Sequence, residues 1–84
     1  MLEVEVYITL KKTVADPQGL TIKHALESLG HSEAEEVRFG KLVNIKLNTK
    51  DKKQAEASVN EMCKKLLANP IIEDYRFEIR EKGA

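Results

Sequence analysis

The sequence has few of the residues that stabilise a very small protein by covalent or aromatic means. Its 84 residues contain one cysteine, no tryptophan and only 5% aromatic side chains. Cys63 has no partner for an internal disulfide, and one Cys with two His offers none of the usual zinc-ligand spacings. The core must be built from aliphatic side chains. We expect it to be thin, and we expect a homo-oligomer, either a dimer or a tetramer, that buries more apolar surface.

The chain also lacks an excess of charge and a long apolar run. Fourteen Lys and Arg balance fourteen Asp and Glu, which disfavours electrostatic binding to nucleic acid or to an anionic membrane. No apolar stretch is long enough to span a bilayer, and no signal peptide is recognisable. Together with the unpaired cysteine, these absences predict a cytoplasmic protein with a single domain over residues 1–84.

Two segments have the spacing and the end signals of helices. The first covers roughly 17–29, with Asp16 as the cap, a proline in the first turn and Gly30 as the stop. The second begins after Asp51 and ends before Asn69-Pro70, because proline cannot continue a helix. Its apolar stripe consists of Ala55, Val59, Met62, Cys63, Leu66 and Leu67. We expect Leu66, Leu67 and Ile72 in the core.

The other regular segments alternate apolar and polar side chains and therefore predict strands. They are residues 2–10, a segment from Val37 to Leu47, and a last segment from about Asp74. Gly40 interrupts the second of them, either as a bulge in one long strand or as a link between two short ones. The resulting order, β-α-β(β)-α-β, predicts an α+β fold of two layers. In it, two helices cover one face of a small sheet, and the other face stays partly apolar.

No arrangement of residues indicates catalysis, metal binding or cofactor binding by the chain. Cys63 lies on the apolar stripe of a helix, so we expect a buried thiol rather than a nucleophile, and His24 and His31 show no pattern that would activate it. The glycines match neither a phosphate-binding loop nor a dinucleotide fingerprint. Tyr7 and Tyr75 are possible aromatic contacts on an open sheet face, but the chain lacks the motif of an RNA-binding sheet.

Three stretches together are similar to one known family. They are Val6–Lys11 with Asp16-Pro17-Gln18-Gly19 and His24-Ala25-Leu26, then Val37-Arg38-Phe39-Gly40-Lys41, and finally the segment from Met62 to Tyr75. Over nearly the whole chain they resemble the PurS family, the small subunit of phosphoribosylformylglycinamidine synthase. The third stretch is the most specific of them.

The resemblance implies an accessory subunit of purine biosynthesis that has no active site of its own. It implies two other partners: a large synthetase subunit, which uses ATP and Mg, and a glutaminase subunit. The family is thought to form dimers or higher oligomers and to bridge these partners, so that ammonia passes between their active sites. An alternative from the fold pattern alone is a small dimeric regulatory domain that binds an effector.

Candidate contact residues follow from the pattern and from the motifs. Tyr7 is expected at a subunit interface, because its ring supplies contact area while its hydroxyl stays hydrated. The loop containing Asp16, Gln18 and Gly19 is either a plain helix start or a contact of the family. In the corner before the last predicted strand, Asn69 fixes the turn. The remaining expected contacts there are Glu73, Asp74 and Tyr75.

Overall fold

The computed structural model describes residues 1–81 and contains a single sheet with two helices. The strands are β1 (Leu2–Leu10), β2 (Gly40–Leu47) and β3 (Glu73–Glu81), and the helices are α1 (Pro17–Ser28) and α2 (Lys52–Met62). A π-helical turn, Cys63–Leu67, continues α2. The expected α+β class is confirmed. The last three residues, which belong to the predicted 1–84 domain, lie outside the described residues. No helix in the described part is long and apolar enough to cross a membrane.

The sheet is antiparallel with β1 in the centre, in the order β2-β1-β3. Val6 of β1 pairs with Val43 of β2 and with Phe77 of β3, and this register runs along all three strands. Matching alternation therefore places apolar side chains from the three strands on one side, which we call the core face. Its members are Leu2, Val4, Val6, Ile8, Val43, Ile45, Leu47, Tyr75, Phe77 and Ile79.

The opposite face, here called the polar face, carries mostly charged and polar side chains. Its members are Glu3, Glu5, Tyr7, Thr9, Leu42, Asn44, Lys46, Asp74, Arg76, Glu78 and Arg80. Arg80 lies 2.9 Å from Glu5, an ion pair that links β3 to β1, and 3.2 Å from Glu78 of its own strand. The expectation that this face stays partly apolar holds only for Tyr7 and Leu42, because all three strands place their polar positions here in register.

The core lies between β1 and α2. The β1 side chains Val4, Val6 and Ile8 are at most 1% exposed, and they pack with Val59 and Cys63 from the helix side. The β2 and β3 side chains of the core face are only half-buried. α2 with its π-helical turn thus covers the middle of the sheet and leaves the margins partly open, as expected for a thin aliphatic core.

The two helices start in the same way but pack differently. Asp16 and Asp51 cap α1 and α2 through their carboxylates, as the sequence predicts. Gly30, with φ +95°, ends α1 in the left-handed region. Only Gly19 is buried within α1, whereas α2 buries Ala55 and Val59. Covering of the core face therefore rests mainly on α2, and α1 contributes little to it.

The predicted strand start at Val37 is wrong, because β2 begins at Gly40. Gly40 is neither a bulge nor a link between two strands; it forms the first β2 pair, with Thr9. A Cβ at Gly40 would lie 2.9 Å from the Ile8 carbonyl oxygen, so the close approach of β1 requires glycine here. The Phe39 N–H is not available for a strand ladder, because it donates to Asp16 at 2.7 Å.

The expected core positions of Leu66 and Ile72 are also wrong. Leu66 is 82% exposed and Ile72 is 38% exposed, while Leu67 packs against the core. In the π-helical turn the Ala68 N–H donates to the Cys63 carbonyl, five residues earlier, instead of four. This wider turn changes the angular position of the residues that follow Cys63, so the stripe read at 3.6 residues per turn fails at Leu66.

Candidate interaction surface at the loop end of the sheet

The expected contact residues come from three separate parts of the sequence, and the structure gathers them at one end of the sheet. β1 ends there, and β2 and β3 begin there: Thr9 pairs with Gly40, and Leu10 pairs with Glu73. We call this region the loop end. The segments that meet there are residues 11–16, 30–39 and 68–72.

Asp16 is the most enclosed polar residue at the loop end, at 8% exposed. Its Oδ1 accepts from the Gly19 N–H at 2.9 Å, and its Oδ2 accepts from the Phe39 N–H at 2.7 Å. One carboxylate therefore caps α1 and also ties α1 to the segment before β2. The Phe39 N–H, followed by the Gly19 N–H, holds the pKa of Asp16 below its ordinary value.

Two further contacts join the same pair of segments. Arg38 Nη2 donates to the Lys11 carbonyl at 2.9 Å and to the Val14 carbonyl at 2.8 Å. A Cβ at Gly19 would lie only 2.1 Å from the Val37 carbonyl oxygen, so this close approach needs glycine. We call the three residues Asp16, Gly19 and Arg38 the clamp.

Asn69 and Glu73 form the corner before β3 by bonding to each other. The Asn69 N–H donates to Glu73 Oε1 at 2.8 Å, and the Glu73 N–H donates to the Asn69 carbonyl at 2.7 Å. Lys41 Nζ lies 3.4 Å from Glu73 Oε2, so this ion pair joins β2 and β3, the strands on either side of β1. The Asn69 N–H, and to a smaller extent Lys41, lower the pKa of Glu73. The corner is thereby fixed to the sheet.

The two tyrosines lie on opposite faces of the sheet. Tyr7 is on the polar face, where the guanidinium carbon of Arg76 lies 4.0 Å from the ring centroid. Tyr75 is on the core face, and its hydroxyl donates to Asn60 of α2 at 3.1 Å. Placing both tyrosines on one open face is therefore wrong, because Tyr75 pairs with Ile8 while Tyr7 pairs with Arg76.

The remaining two candidates are freely accessible. Gln18 is exposed in the first turn of α1, and Asp74 is exposed at the start of β3. Of the eight predicted contact residues, Asp16, Gly19, Asn69 and Glu73 have clear structural roles in the clamp and the corner. Gln18, Asp74 and the ring of Tyr7 offer surface that a partner can reach.

Large apolar side chains are exposed on α1 and around the loop end. They are Leu20, Ile22, Leu29, Phe39, Leu42, Leu66, Ile71 and Ile72, each at least 38% exposed. Exposed apolar residues are common in soluble proteins, and these side chains are available for contact with other proteins. A groove of about 610 Å³ between the π-helical turn and β3 adds to this surface; its walls include Lys64, Pro70 and Asp74.

In the part of the chain that the structure describes, the cysteine and the two histidines do not form a reactive site. Cys63 is fully buried against the sheet, and burial raises the pKa of its thiol. Both histidines are exposed at α1 or just after it, where His31 Nδ1 lies 3.2 Å from Glu33. Among residues 1–81, no group of three or more His, Cys, Asp or Glu side chains is placed to hold a metal ion.

Sequence reasoning missed three residues that organise the loop end. In the sequence, Arg38 and Lys41 stand out only as parts of the motif Val37–Lys41, and nothing singles out Asn60. Arg38 bonds carbonyls 24 and 27 residues away in the sequence. No local pattern reports such a contact, so only the motif Val37–Lys41 drew attention to this segment.

Comparison with known proteins gives a consistent result for the whole domain. The family described as "PurS: Phosphoribosylformylglycinamidine (FGAM) synthase" matches residues 3–81. The chain is 46% identical over 81 residues to the phosphoribosylformylglycinamidine synthase subunit PurS of Bacillus subtilis, covering 96% of this chain and 95% of that protein.

Solved structures agree with the sequence match. The structure of Methanocaldococcus jannaschii PurS, described as one of the subunits of formylglycinamide ribonucleotide amidotransferase, matches with a TM-score of 0.89 and 40% identity; the match covers 99% of this chain and 100% of that one. A chain in a structure of PurLQS from Thermotoga maritima matches with a TM-score of 0.84 and 26% identity, covering 95% of this chain and 99% of that one.

Proposed function

Because the chain belongs to the PurS family of phosphoribosylformylglycinamidine synthase subunits, we propose that it bridges the other two subunits of that enzyme. These are the ATP-dependent synthetase subunit and the glutaminase subunit, and the chain supports the transfer of ammonia between them. Membership of the family makes it a subunit of this ligase complex in purine biosynthesis. The observation that supports the bridging role is the match of 95% of this chain to a chain in the structure of PurLQS.

The distribution of side chains supports a role in binding proteins rather than in catalysis. The thiol is buried away from solvent, while apolar side chains are exposed on α1 and at the loop end. Leu29 and Leu66, for example, are 74% and 82% exposed. A subunit whose surface is used for assembly needs this arrangement, because apolar contact area drives association.

A bridging subunit has a clear physical use in a glutamine-dependent synthase. Ammonia released at one active site becomes protonated and diluted if it reaches bulk water. A protein that holds two active sites in register and excludes water from the path keeps the nucleophile neutral and close to its acceptor. Such a subunit contributes through its shape and contacts, and it needs no catalytic residue of its own.

The proposal includes the other expected partners. The chain associates with itself as a dimer or a tetramer, since the half-buried margins of its core face leave apolar area to cover. ATP and Mg act on the synthetase subunit, and the chain binds no cofactor. Nucleic acid and membranes are not expected as partners, because the charge is balanced.

The loop after β1 argues against the alternative of an effector-binding regulatory domain. Such a domain binds its ligand at a turn after the first strand. Here the carbonyls of Lys11 and Val14 in that loop accept hydrogen bonds from Arg38, so the loop is already engaged within the chain.

Reconstitution of the synthase tests the proposal. The glutamine-driven and the ammonium-driven rates of formylglycinamidine ribonucleotide synthesis are measured for the two larger subunits, with and without the chain. We expect the glutamine-driven rate to require the chain and the ammonium-driven rate to change little. Equal rates with and without the chain, in both reactions, would contradict the proposed function.

A further inference from the structure

Polar contacts at its base hold α1, although the helix contributes little to the core. Gly19 is the one buried residue of the helix, and Leu20 and Leu29 are more than half exposed. The fold as a whole is extended: its radius of gyration is 16.5 Å, against about 12 Å for a compact domain of this length. Apolar packing therefore does little to fix the direction of α1 relative to the sheet.

The clamp fixes the direction of α1 relative to the sheet, which apolar packing does not. Asp16 bonds both the α1 start and Phe39, Gly19 lies against the Val37 carbonyl, and Arg38 bonds the loop that leads into α1. All of these contacts join the base of α1 to the segment that leads into β2. Because β2 is paired to β1 from Gly40 onward, the clamp connects α1 to the sheet.

We propose that Asp16, Gly19 and Arg38 are positioning residues for the glutamine-driven reaction of the synthase, acting through the direction in which they hold α1. This inference rests on the proposed function and deepens it. A helix that adds little to the core but is fixed by three polar or close backbone contacts has an orientation that matters outside the chain. Loss of the clamp leaves the sheet and α2 intact but allows α1 to change direction.

The atoms of Asp16 allow its two roles to be separated. Oδ1 caps α1, and Oδ2 accepts from Phe39. In Asp16→Asn the single remaining oxygen can accept from only one of the two N–H groups. We expect it to keep the cap, which Asn forms as well as Asp, so that the bond to Phe39 is lost. Asp51→Asn is the matched control, because Asp51 caps α2 through Oδ1 alone and bonds no distant segment.

Arg38→Ala tests the clamp independently of Asp16, because it removes the hydrogen bonds to the Lys11 and Val14 carbonyls. Arg38 is exposed and lies outside the strands and helices, so this substitution leaves the core untouched and keeps the test valid if Asp16→Asn destabilises the fold. A double variant carrying both changes is expected to shift the direction of α1 at least as far as either single variant, because it removes both sets of hydrogen bonds between the same two segments.

The experiment compares wild type, Asp16→Asn, Arg38→Ala and Asp51→Asn in the reconstituted synthase. The direction of α1 relative to the sheet is measured in each free chain from residual dipolar couplings of backbone amides. We expect both clamp variants to alter or broaden that direction. We also expect them to raise the chain concentration for half-maximal glutamine-driven synthesis by about tenfold, the scale of one lost charge-assisted hydrogen bond. The ammonium-driven rate and the Asp51→Asn chain are expected to stay at wild-type values.

Two results would overturn the inference alone, given a wild-type chain that supports glutamine-driven synthesis. One is that both clamp variants support the reaction at the wild-type concentration; the other is that the activity falls although the direction of α1 is unchanged. A wild-type chain that fails to support the reaction would instead overturn the proposed function, and the inference with it.

Discussion

α1 and α2 are almost equal in length, at 12 and 11 residues, and each begins with an aspartate cap, yet they serve the fold differently. α2 buries Ala55 and Val59 against the sheet and continues into the buried Cys63. α1 buries only Gly19 and depends on Asp16 and its neighbours for its position. The two helices have similar local signals but different roles: α2 builds the core, and the clamp holds α1 beside it.

The largest expected difference between the two regions is in their apolar side chains. Ile8 lies in the cluster under α2 at 1% exposed, whereas Ile22 of α1 is 40% exposed. We expect Ile8→Ala to lower the free energy of unfolding by about 2 to 5 kcal/mol, because it leaves a cavity in the core. Ile22→Ala is expected to cost less than about 1 kcal/mol, since alanine also favours the helix. Urea titration of both variants measures this, and equal losses would contradict the division between the helices.

The next largest effect concerns the glycine under α1. The Cβ in Gly19→Ala would meet the Val37 backbone, which cannot move away as a side chain tip can. We expect a loss of roughly 1 to 3 kcal/mol from overpacking, together with a changed α1 direction and an intact sheet. Amide chemical shifts locate the change, and Thr21→Ala on the exposed side of α1 is the control. Shifts spread evenly over β1 and β3 would show that α1 and the sheet are not separable.

A smaller effect is expected from acid. The pKa of Asp16 is lowered in the folded chain, so its carboxylate stabilises the fold above the ordinary value of 3.8 and loses that contribution as the pH falls through the lower folded value. Glu73 at the corner has the same direction of shift, from 4.5. Asp16→Asn and Glu73→Gln should each make the loss of stability on the acid side shallower than in wild type. Thermal unfolding at a series of pH values tests this, and a slope unchanged in Asp16→Asn would contradict the contacts assigned to its carboxylate.

The smallest expected effect comes from removing surface ion pairs, and it should be the same in both helices. Each has an exposed ion pair four residues apart, Lys23–Glu27 in α1 and Glu61–Lys65 at the end of α2. We expect Glu27→Gln and Glu61→Gln each to cost no more than about 0.5 kcal/mol, because solvent and salt screen such pairs. A clearly larger loss in only one of the variants, measured at low and high salt, would reveal a contact beyond the pair itself.

Much of the fold follows from local patterns. Alternation gave β1 and β3 to within one residue, and the cap at Asp51 and the break at Asn69-Pro70 bounded α2 and its π-helical turn. These signals depend on residues near each other in the chain, so they predict the elements without knowledge of tertiary contacts.

Two of the failures lie where a distant or unusual contact decides the structure. Phe39 continues the alternation of β2, but its N–H bonds Asp16, 23 residues earlier, and so leaves the ladder. Leu66 fits the helical stripe, but the π-helical turn exposes it. For the candidate surface, the motif identified the clamp segments, whereas the hydrogen bonds of Arg38 required the structure.

The transfer of ammonia is the central claim, and the fate of the glutamine nitrogen tests it most directly. The complete synthase is supplied with glutamine that carries a heavy isotope in its amide, together with an excess of unlabelled ammonium. With the chain present, we expect the product to retain the heavy nitrogen, because the ammonia passes between active sites without mixing with solvent. Product nitrogen that matches the bulk ammonium pool, with the chain present, would contradict the bridging role.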